Sequence, residues 1–309
     1  MKRIFFSFLF FIIFTSCSNK INPPKWYINP PVTQDNNVLY GTGEGLTKNS
    51  AINYALNQIA AQIHTSINSE VYISKSQNQH NQKINFSKTI EQTITQKIEN
   101  FNIYNYKILK LKKIKNIYFV LASVNKNQLA NIIYKKNKDK LNNLKIFFKN
   151  SDYFHKFKIA KQNINLLQKE LIPSLYISYF LGKKDALNII KEAQDYTIFL
   201  NKFINNFTIA IKSKNYNNIL YDLLTQKGIN INSNASLKIY FQCNKGKIKY
   251  SEYYIIKLNC NINIKNKHNL LFSQSIKSTG KSLLNYEISQ SLAIINLKNK
   301  LKKIFATLF

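Results

Sequence analysis

Three stretches in the last third of the chain alternate apolar with polar residues, a rhythm no helix can satisfy. Leu237, Ile239, Phe241 and Cys243 form the first, and Ile256, Leu258, Cys260, Ile262 and Ile264 the second. Leu270, Phe272 and Ile276 form the third. A period of two places each apolar set on one face of a strand. Around these strands the rhythm changes. Residues 207–212 read as a further strand, and residues 216–227 as a helix closed by Gly228 in a left-handed cap. A terminal helix over 283–308 carries Leu284, Ile288, Leu292 and Ile295, then Leu297, Leu301, Ile304 and Leu308. The order is strand, helix, three-strand meander, helix. Cys243 and Cys260 are expected to be free, buried thiols on the apolar side of their strands. A hairpin loop over 245–252 would set Cys243 near Ile255, leaving the two cysteines about five residues, or ~17 Å, out of step. A disulfide needs Cα atoms within ~7 Å.

The amino terminus decides which residues take part in the fold at all. Met1-Lys2-Arg3 precedes an apolar run from Ile4 to Phe14, broken only by Ser7, and Thr15-Ser16-Cys17 follows. A basic start, a short apolar stretch and small residues before a cut site make a secretory signal. Crossing a bilayer takes ~20 apolar residues, and this run is shorter. A retained transmembrane anchor and a soluble export product are the other readings of the segment. Phe14-Thr15-Ser16-Cys17 resembles a bacterial lipobox, in which Leu-Ala-Gly-Cys is commoner. The resemblance implies a diacylglycerol on Cys17, cleavage before it, and acylation of the new amino terminus. Two or three acyl chains hold a protein on a membrane far better than one. The chain is expected at a membrane face outside the cytoplasm.

Charge is the other extreme. The chain carries 45 Lys plus Arg against 14 Asp plus Glu, a formal net charge of +31. Such a balance suggests nucleic acid in other settings. Here the basic residues are spread along the chain and are nearly all Lys, which lacks the bidentate fork of phosphate and base readers. An exported protein also meets little nucleic acid, so none is expected as partner. Attraction to anionic headgroups or envelope polymers is the better expectation. Hydrophobic residues make up 45% of the chain, enough to bury real cores.

Residues 17–36 are polar and Pro-punctuated, with Pro23-Pro24-Lys25-Trp26 and Pro30-Pro31, and read as a tether from the lipid. A first module follows over 37–140. Val38-Leu39-Tyr40 opens it as a strand that runs into Gly41-Thr42-Gly43-Glu44-Gly45. A helix over 48–69 comes next, with Ala51, Ala55, Ile59 and Ile63 at four-residue spacing. A short strand is expected over 71–75, a helix over 88–100, strands over 104–112 and 116–124, and a helix from near Gln128. Residues 141–205 are helical throughout, broken at Pro173 and Gly182, and read as a helical hairpin spacer. Residues 206–309 form the second module. The fold class is therefore α+β, with two small α/β modules joined by that spacer.

Glycines 41, 43 and 45 lie between a strand and a helix, where a phosphate loop would sit. A P-loop continues into Gly-Lys-Ser or Gly-Lys-Thr, and here Gly45 is followed by Leu46-Thr47. The dinucleotide fingerprint places its third glycine three residues after the second, where this chain has Leu46. Gly41, Gly43 and Gly45 are expected to serve a tight structural turn packed against its own helix. No catalytic motif emerges. His64, His80, His155 and His268 are far apart in sequence and without a partner motif. No enzyme activity, metal or cofactor is expected.

Two resemblances bear on function. Trp26-Tyr27 with its prolines, the run from Leu39 to Gly45, and Ala51-x-x-x-Ala55 leading to Ile59-Ala60 are similar to the lipoprotein-twenty family. These are Helicobacter-type outer-membrane lipoproteins, kin to flagellar basal-disk lipoproteins. Residues 117–124 and the helix after them match that family's late aromatic strand. The likeness covers Cys17 to about Tyr134. It implies a lipid-anchored outer-membrane protein with a structural or adaptor role, in or beyond the flagellum, whose partners are other envelope proteins or further copies of itself. Ser18 and Asn19 lack the Asp that retains some lipoproteins at the inner membrane, which favours the outer one. The carboxy-terminal extension, on residues 235–239, 253–258 and 271–273, resembles the small α/β domain of TolB-like and curli-export-like proteins. That likeness implies an alternative, a periplasm-facing export or assembly factor that binds a secreted client.

Overall fold

The computed structural model describes residues 22–31, 37–78, 103, 105–267 and 269–309. Cys17, the signal segment, the helix expected over 88–100, His80 and His268 lie outside them. The fold class is α+β, and the described residues divide into two compact units.

In the first unit, helical turn α1 (Lys25–Ile28) precedes strand β1 (Val38–Gly45), helix α2 (Lys48–Asn78, of which the part to Ser66 belongs to this unit) and strands β2 (Lys107–Ile114) and β3 (Ile117–Asn125). The strands form an antiparallel sheet in the order β1-β3-β2. Central β3 is buried from Phe119 to Val124, as an apolar strand covered on both faces must be. The residues expected to form a separate strand at 71–75 continue α2 instead. The four-residue stripe from Ala51 runs on in sequence through Ile67 to Val71, and two β-branched residues, Val71 and Ile73, do not override it. The β2–β3 connection is also tighter than expected. Pairing reaches Ile114↔Ile117, leaving Lys115 and Asn116 as the turn, with Lys115 at φ 53°.

The second unit begins with helices α3 (Lys126–Asn150), α4 (Tyr153–Leu166), α5 (Ile172–Phe180) and α6 (Ala186–Asn205). Pro173 does not break the helical path as its sequence suggests. A π-turn, Leu167–Leu171, joins α4 to α5, and the Ile172 N–H donates to the Leu167 carbonyl. The widened turn makes room for a proline ring that in a regular helix would strike the carbonyl four residues back. Gly182 ends α5 as expected, at φ 107°.

Strand β4 (Thr208–Ser213), helix α7 (Asn217–Gln226), strands β5 (Asn230–Ile231), β6 (Leu237–Tyr250), β7 (Tyr253–Asn266) and β8 (Asn269–Ser282), and helix α8 (Tyr286–Leu308) complete the unit. The sheet order is β5-β4-β6-β7-β8. The alternating residues of β6 and β7 are buried as their spacing predicts. Helix α4 adds Phe154 and Phe157 to the same core. Phe157 stacks on Phe207 at 4.0 Å, Phe207 on Tyr153 at 4.9 Å, and Phe157 also meets Phe309. Helix α4 is thus part of the second hydrophobic core through its aromatic rings.

Two expectations for this unit are overturned. Cys243 and Cys260 are joined as a disulfide with Cα atoms 3.9 Å apart. Strand β6 does not stop at Lys245. It pairs with β7 as far as Tyr250↔Tyr253, so the turn is Ser251-Glu252 and Cys243 stands directly opposite Cys260. Residues 245–250 are Lys-rich and exposed, which disguised them as a loop, but a two-residue turn sets the register.

The second correction concerns α8. Its buried face is Ser289, Ala293, Leu297, Leu301, Phe305 and Leu308, whereas Leu284, Ile288, Leu292 and Ile295 are exposed. Gly280 on β8 explains the rotation. A Cβ there would lie 1.8 Å from the Ser289 carbonyl oxygen and 2.4 Å from the Ala293 nitrogen. A helix that close admits only small residues at the contact, and the bulky stripe turns outward.

Helix α4 owes its start to Asp152. The carboxylate accepts hydrogen bonds from the backbone N–H groups of Phe154 and His155, at 2.9 and 3.0 Å, and pairs with the His155 ring. Burial pushes this carboxyl up, but the hydrogen bonds to it and the neighbouring imidazole outweigh that and hold it below the usual range. A depressed carboxyl contributes stability above its unfolded value, near ~3.9, and loses it as pH falls through the lower folded value. Asp152→Ala is expected to cost about 1 kcal/mol at neutral pH. The gap from wild type should shrink once pH drops below the ordinary aspartate range. Urea titrations at several pH values measure this, and a gap that grows on acidification would refute the assignment.

Candidate functional site

The first unit carries a cleft of about 500 Å³ between the carboxyl end of β1 and the start of α2. Its position follows from the glycines. Gly41, Gly43 and Gly45 lie inside strand β1 and not in a turn. Alternate positions face α2, where a Cβ on Gly41 would sit 2.0 Å from the Ala55 carbonyl oxygen. On Gly43 it would sit 2.1 Å from the Ala51 oxygen. The glycines therefore bring strand and helix into near backbone contact, as the expected structural role requires, by absence of a side chain and without a left-handed φ.

The turn into α2 is Leu46-Thr47. Thr47 and Ser50 cap each other's backbone: the Ser50 N–H donates to Thr47 Oγ1 at 3.1 Å, and the Thr47 N–H to Ser50 Oγ at 3.2 Å. This is the geometry of a capping box with a serine in the third helical position.

Further along α2, two glutamines reach back to β1. The Thr42 N–H donates to Gln58 Oε1 at 2.8 Å, and Gln62 Nε2 donates to the Tyr40 carbonyl at 2.7 Å. Strand β1 is an edge strand, so these contacts fill backbone groups that an incoming strand would otherwise use.

The other wall of the cleft comes from the Pro-rich segment. Tyr27 packs edge-on against Phe119 with ring centroids 5.0 Å apart, which docks this part of the tether on the sheet. Burial, together with the Glu44 carboxylate beside it, pushes the Tyr27 hydroxyl above its usual range. Protonated at neutral pH, the phenol donates to Glu44. Tyr54, Leu46 and Ile117 complete the lining.

None of the described lining residues is Ser, Cys, His or Lys. One carboxylate, two phenols, a threonine and a glutamine amide suit recognition by hydrogen bonds and apolar contact. None of the described histidines lines the cleft. His64 lies on α2, and His155 serves the cap of α4. No group of three or more His, Cys, Asp or Glu residues that could hold a metal occurs among the described residues. Among them, too, no helix is long and apolar enough to cross a membrane.

Glycines, capped turn, docked tyrosine and aromatic β3 all fall in one continuous region. Residues 24–125 match the LPP20 lipoprotein family. The LPP20 region spans every residue of the cleft, and a lipoprotein is held at a membrane by lipid. Among solved structures, the chain is similar to the secreted protein HP1454 from Helicobacter pylori. Identity is 16% and the TM-score 0.41, over 88% of this chain and 97% of that one. It is also similar to a minor lipoprotein from Acinetobacter baumannii, at 11% identity and TM-score 0.26, over 32% of this chain and 93% of the other. Lipoprotein GNA1162 from Neisseria meningitidis matches at 11% identity and TM-score 0.22, over 31% and 99%. No curated protein matches the chain.

Sequence reasoning found the glycines and their helix but not the docked Tyr27, the glutamines at the strand edge, or Gly280. The first two show no periodic signal. Gly280 had one, since Ser289-x-x-x-Ala293 repeats the small-residue spacing of Ala51-x-x-x-Ala55.

Proposed function

We propose that the chain is an outer-membrane lipoprotein, anchored through Cys17, that works as a structural or adaptor element of an envelope assembly. Its contacts are with other envelope proteins or with further copies of itself, and a flagellar disk is one assembly such a role would serve. The match of residues 24–125 to a lipoprotein family carries the reading. The Cys243–Cys260 disulfide supports it, because such bonds persist in oxidising compartments outside the cytoplasm. The hydrogen-bonding and apolar lining of the cleft is compatible with a binding role.

Attachment is tested by labelled palmitate. Wild type is expected to incorporate it, and Cys17→Ser to remain an unlabelled precursor; equal labelling would sink the anchor. The assembly role is tested by size in mild detergent, combined with crosslinking in intact cells. A large symmetric oligomer, or a reproducible envelope partner, is the expected result. A monomer that captures a secreted protein would replace the adaptor with an export factor.

A further inference from the structure

The β6–β7 hairpin ends in a surface unlike the rest of the second unit. Tyr250 pairs with Tyr253 across the turn, and Tyr254 with Ser282 of β8, so Leu283 and Leu284 leave the sheet beside the hairpin tip. Leu284 and Tyr250 are each 73% exposed and Leu283 is 56% exposed. Ile248 and Ile288, on the adjoining strand and helix, are exposed as well.

These apolar groups are held in place. The Leu284 N–H donates to Ser282 Oγ, Asn285 caps α8 through the Ile288 N–H, and Ser289 Oγ donates to the Tyr254 carbonyl. Tyr254 and Tyr286 meet edge-on at 4.9 Å. A frayed loop would show none of this order.

Lysines ring the tip. Lys281 lies 3.5 Å from the centre of the Tyr253 ring, Lys249 5.2 Å from Tyr254, and Lys247 5.5 Å from Tyr286. Their acidic neighbours are Glu252 in the turn and Glu287 in the first turn of α8. The tip keeps a positive balance within a chain of net charge +31.

We propose that this tip inserts into the headgroup layer of an anionic phospholipid surface. The exposed leucines enter the acyl boundary, tyrosines sit at the headgroup level where amphipathic rings prefer to be, and the lysines meet phosphate. Exposed apolar groups ringed by lysines match a fluid anionic bilayer, which closes around them. The proposal takes its setting from the envelope location above, but its test does not depend on that location.

The test uses the polypeptide 18–309, which has no lipid, with vesicles of phosphatidylglycerol or of phosphatidylcholine. Wild type is expected to co-sediment with phosphatidylglycerol vesicles and not with phosphatidylcholine. Leu284→Asp should weaken binding by on the order of tenfold. Leu270→Asp, at a 56% exposed site at the opposite end of the same sheet, adds the same charge and should bind like wild type. Leu283→Gln with Leu284→Gln, which leaves charge unchanged, should weaken binding as Leu284→Asp does. Near-ultraviolet circular dichroism verifies that each variant is folded. Equal losses for Leu284→Asp and Leu270→Asp would show diffuse lysine attraction and overturn the proposal. Wild-type chain that ignores both lipids, or a dimer abolished by Leu284→Asp without lipid binding, would overturn it too.

Discussion

Gly43→Ala is expected to destabilise the chain by about 3 kcal/mol or more, the upper range for overpacking a filled contact. The added Cβ would sit 2.1 Å from the Ala51 oxygen and 2.4 Å from the Ala55 nitrogen. Both are backbone atoms of α2, so no side chain can swing away and the helix itself must move. Gly280→Ala should act equally strongly, since its nearest atoms are also helix backbone. Gly246→Ala is the control. It too lies in a strand, but its Cβ would approach nothing nearer than 3.9 Å. Thermal melts should show losses on the order of 10 °C for the first two and about 2 °C or less for the third. Uniform behaviour of all three would remove the close-packing argument. Loss of a phosphate or nucleotide ligand from a stable Gly43→Ala protein would instead reveal a binding loop.

The second large effect belongs to the disulfide. Cys243 and Cys260 are separated by 17 positions, and closing a loop of that size restrains the unfolded chain by about 3 kcal/mol. Reduction, or Cys243→Ala with Cys260→Ala, should lower the urea midpoint by a corresponding amount. The double variant should no longer respond to reductant. Peptide mapping of alkylated, non-reduced protein should find the two cysteines in one linked peptide. Two alkylated cysteines in unreduced protein would restore the free thiols that the sequence suggests and would reject the disulfide.

Much of the fold was legible where burial and periodicity coincide. The alternation in β6 and β7, the cap at Gly228 and the small-residue stripe of α2 each state one local preference that the tertiary structure keeps. The failures share a cause. Residues 245–250 are exposed, so the lysines that alternate with Gly246, Ile248 and Tyr250 read as a polar loop and not as a strand with a core face. On the first half of α8 two faces could be buried, and bulk pointed to the wrong one, although Leu297, Leu301 and Leu308 further on are buried. Only the approach distance set by Gly280, a residue of another element, decides between them. Tyr27 is partly buried by Phe119, some ninety positions later in the chain, and no local pattern can foretell that. The cleft was legible through its glycines alone.

The glutamines on α2 have a consequence for how copies of this protein can meet. Gln58 and Gln62 occupy the Thr42 N–H and the Tyr40 carbonyl, so the β1 side of the three-stranded sheet is stoppered. Head-to-tail polymerisation by strand addition needs two open margins on every subunit, one to offer and one to receive. A sheet plugged on one side is a chain terminator for that kind of growth. Copies that met on the β1 side of this sheet would have to do so by side-chain contacts, which can be dissolved and remade, and not by a continuous β-ribbon.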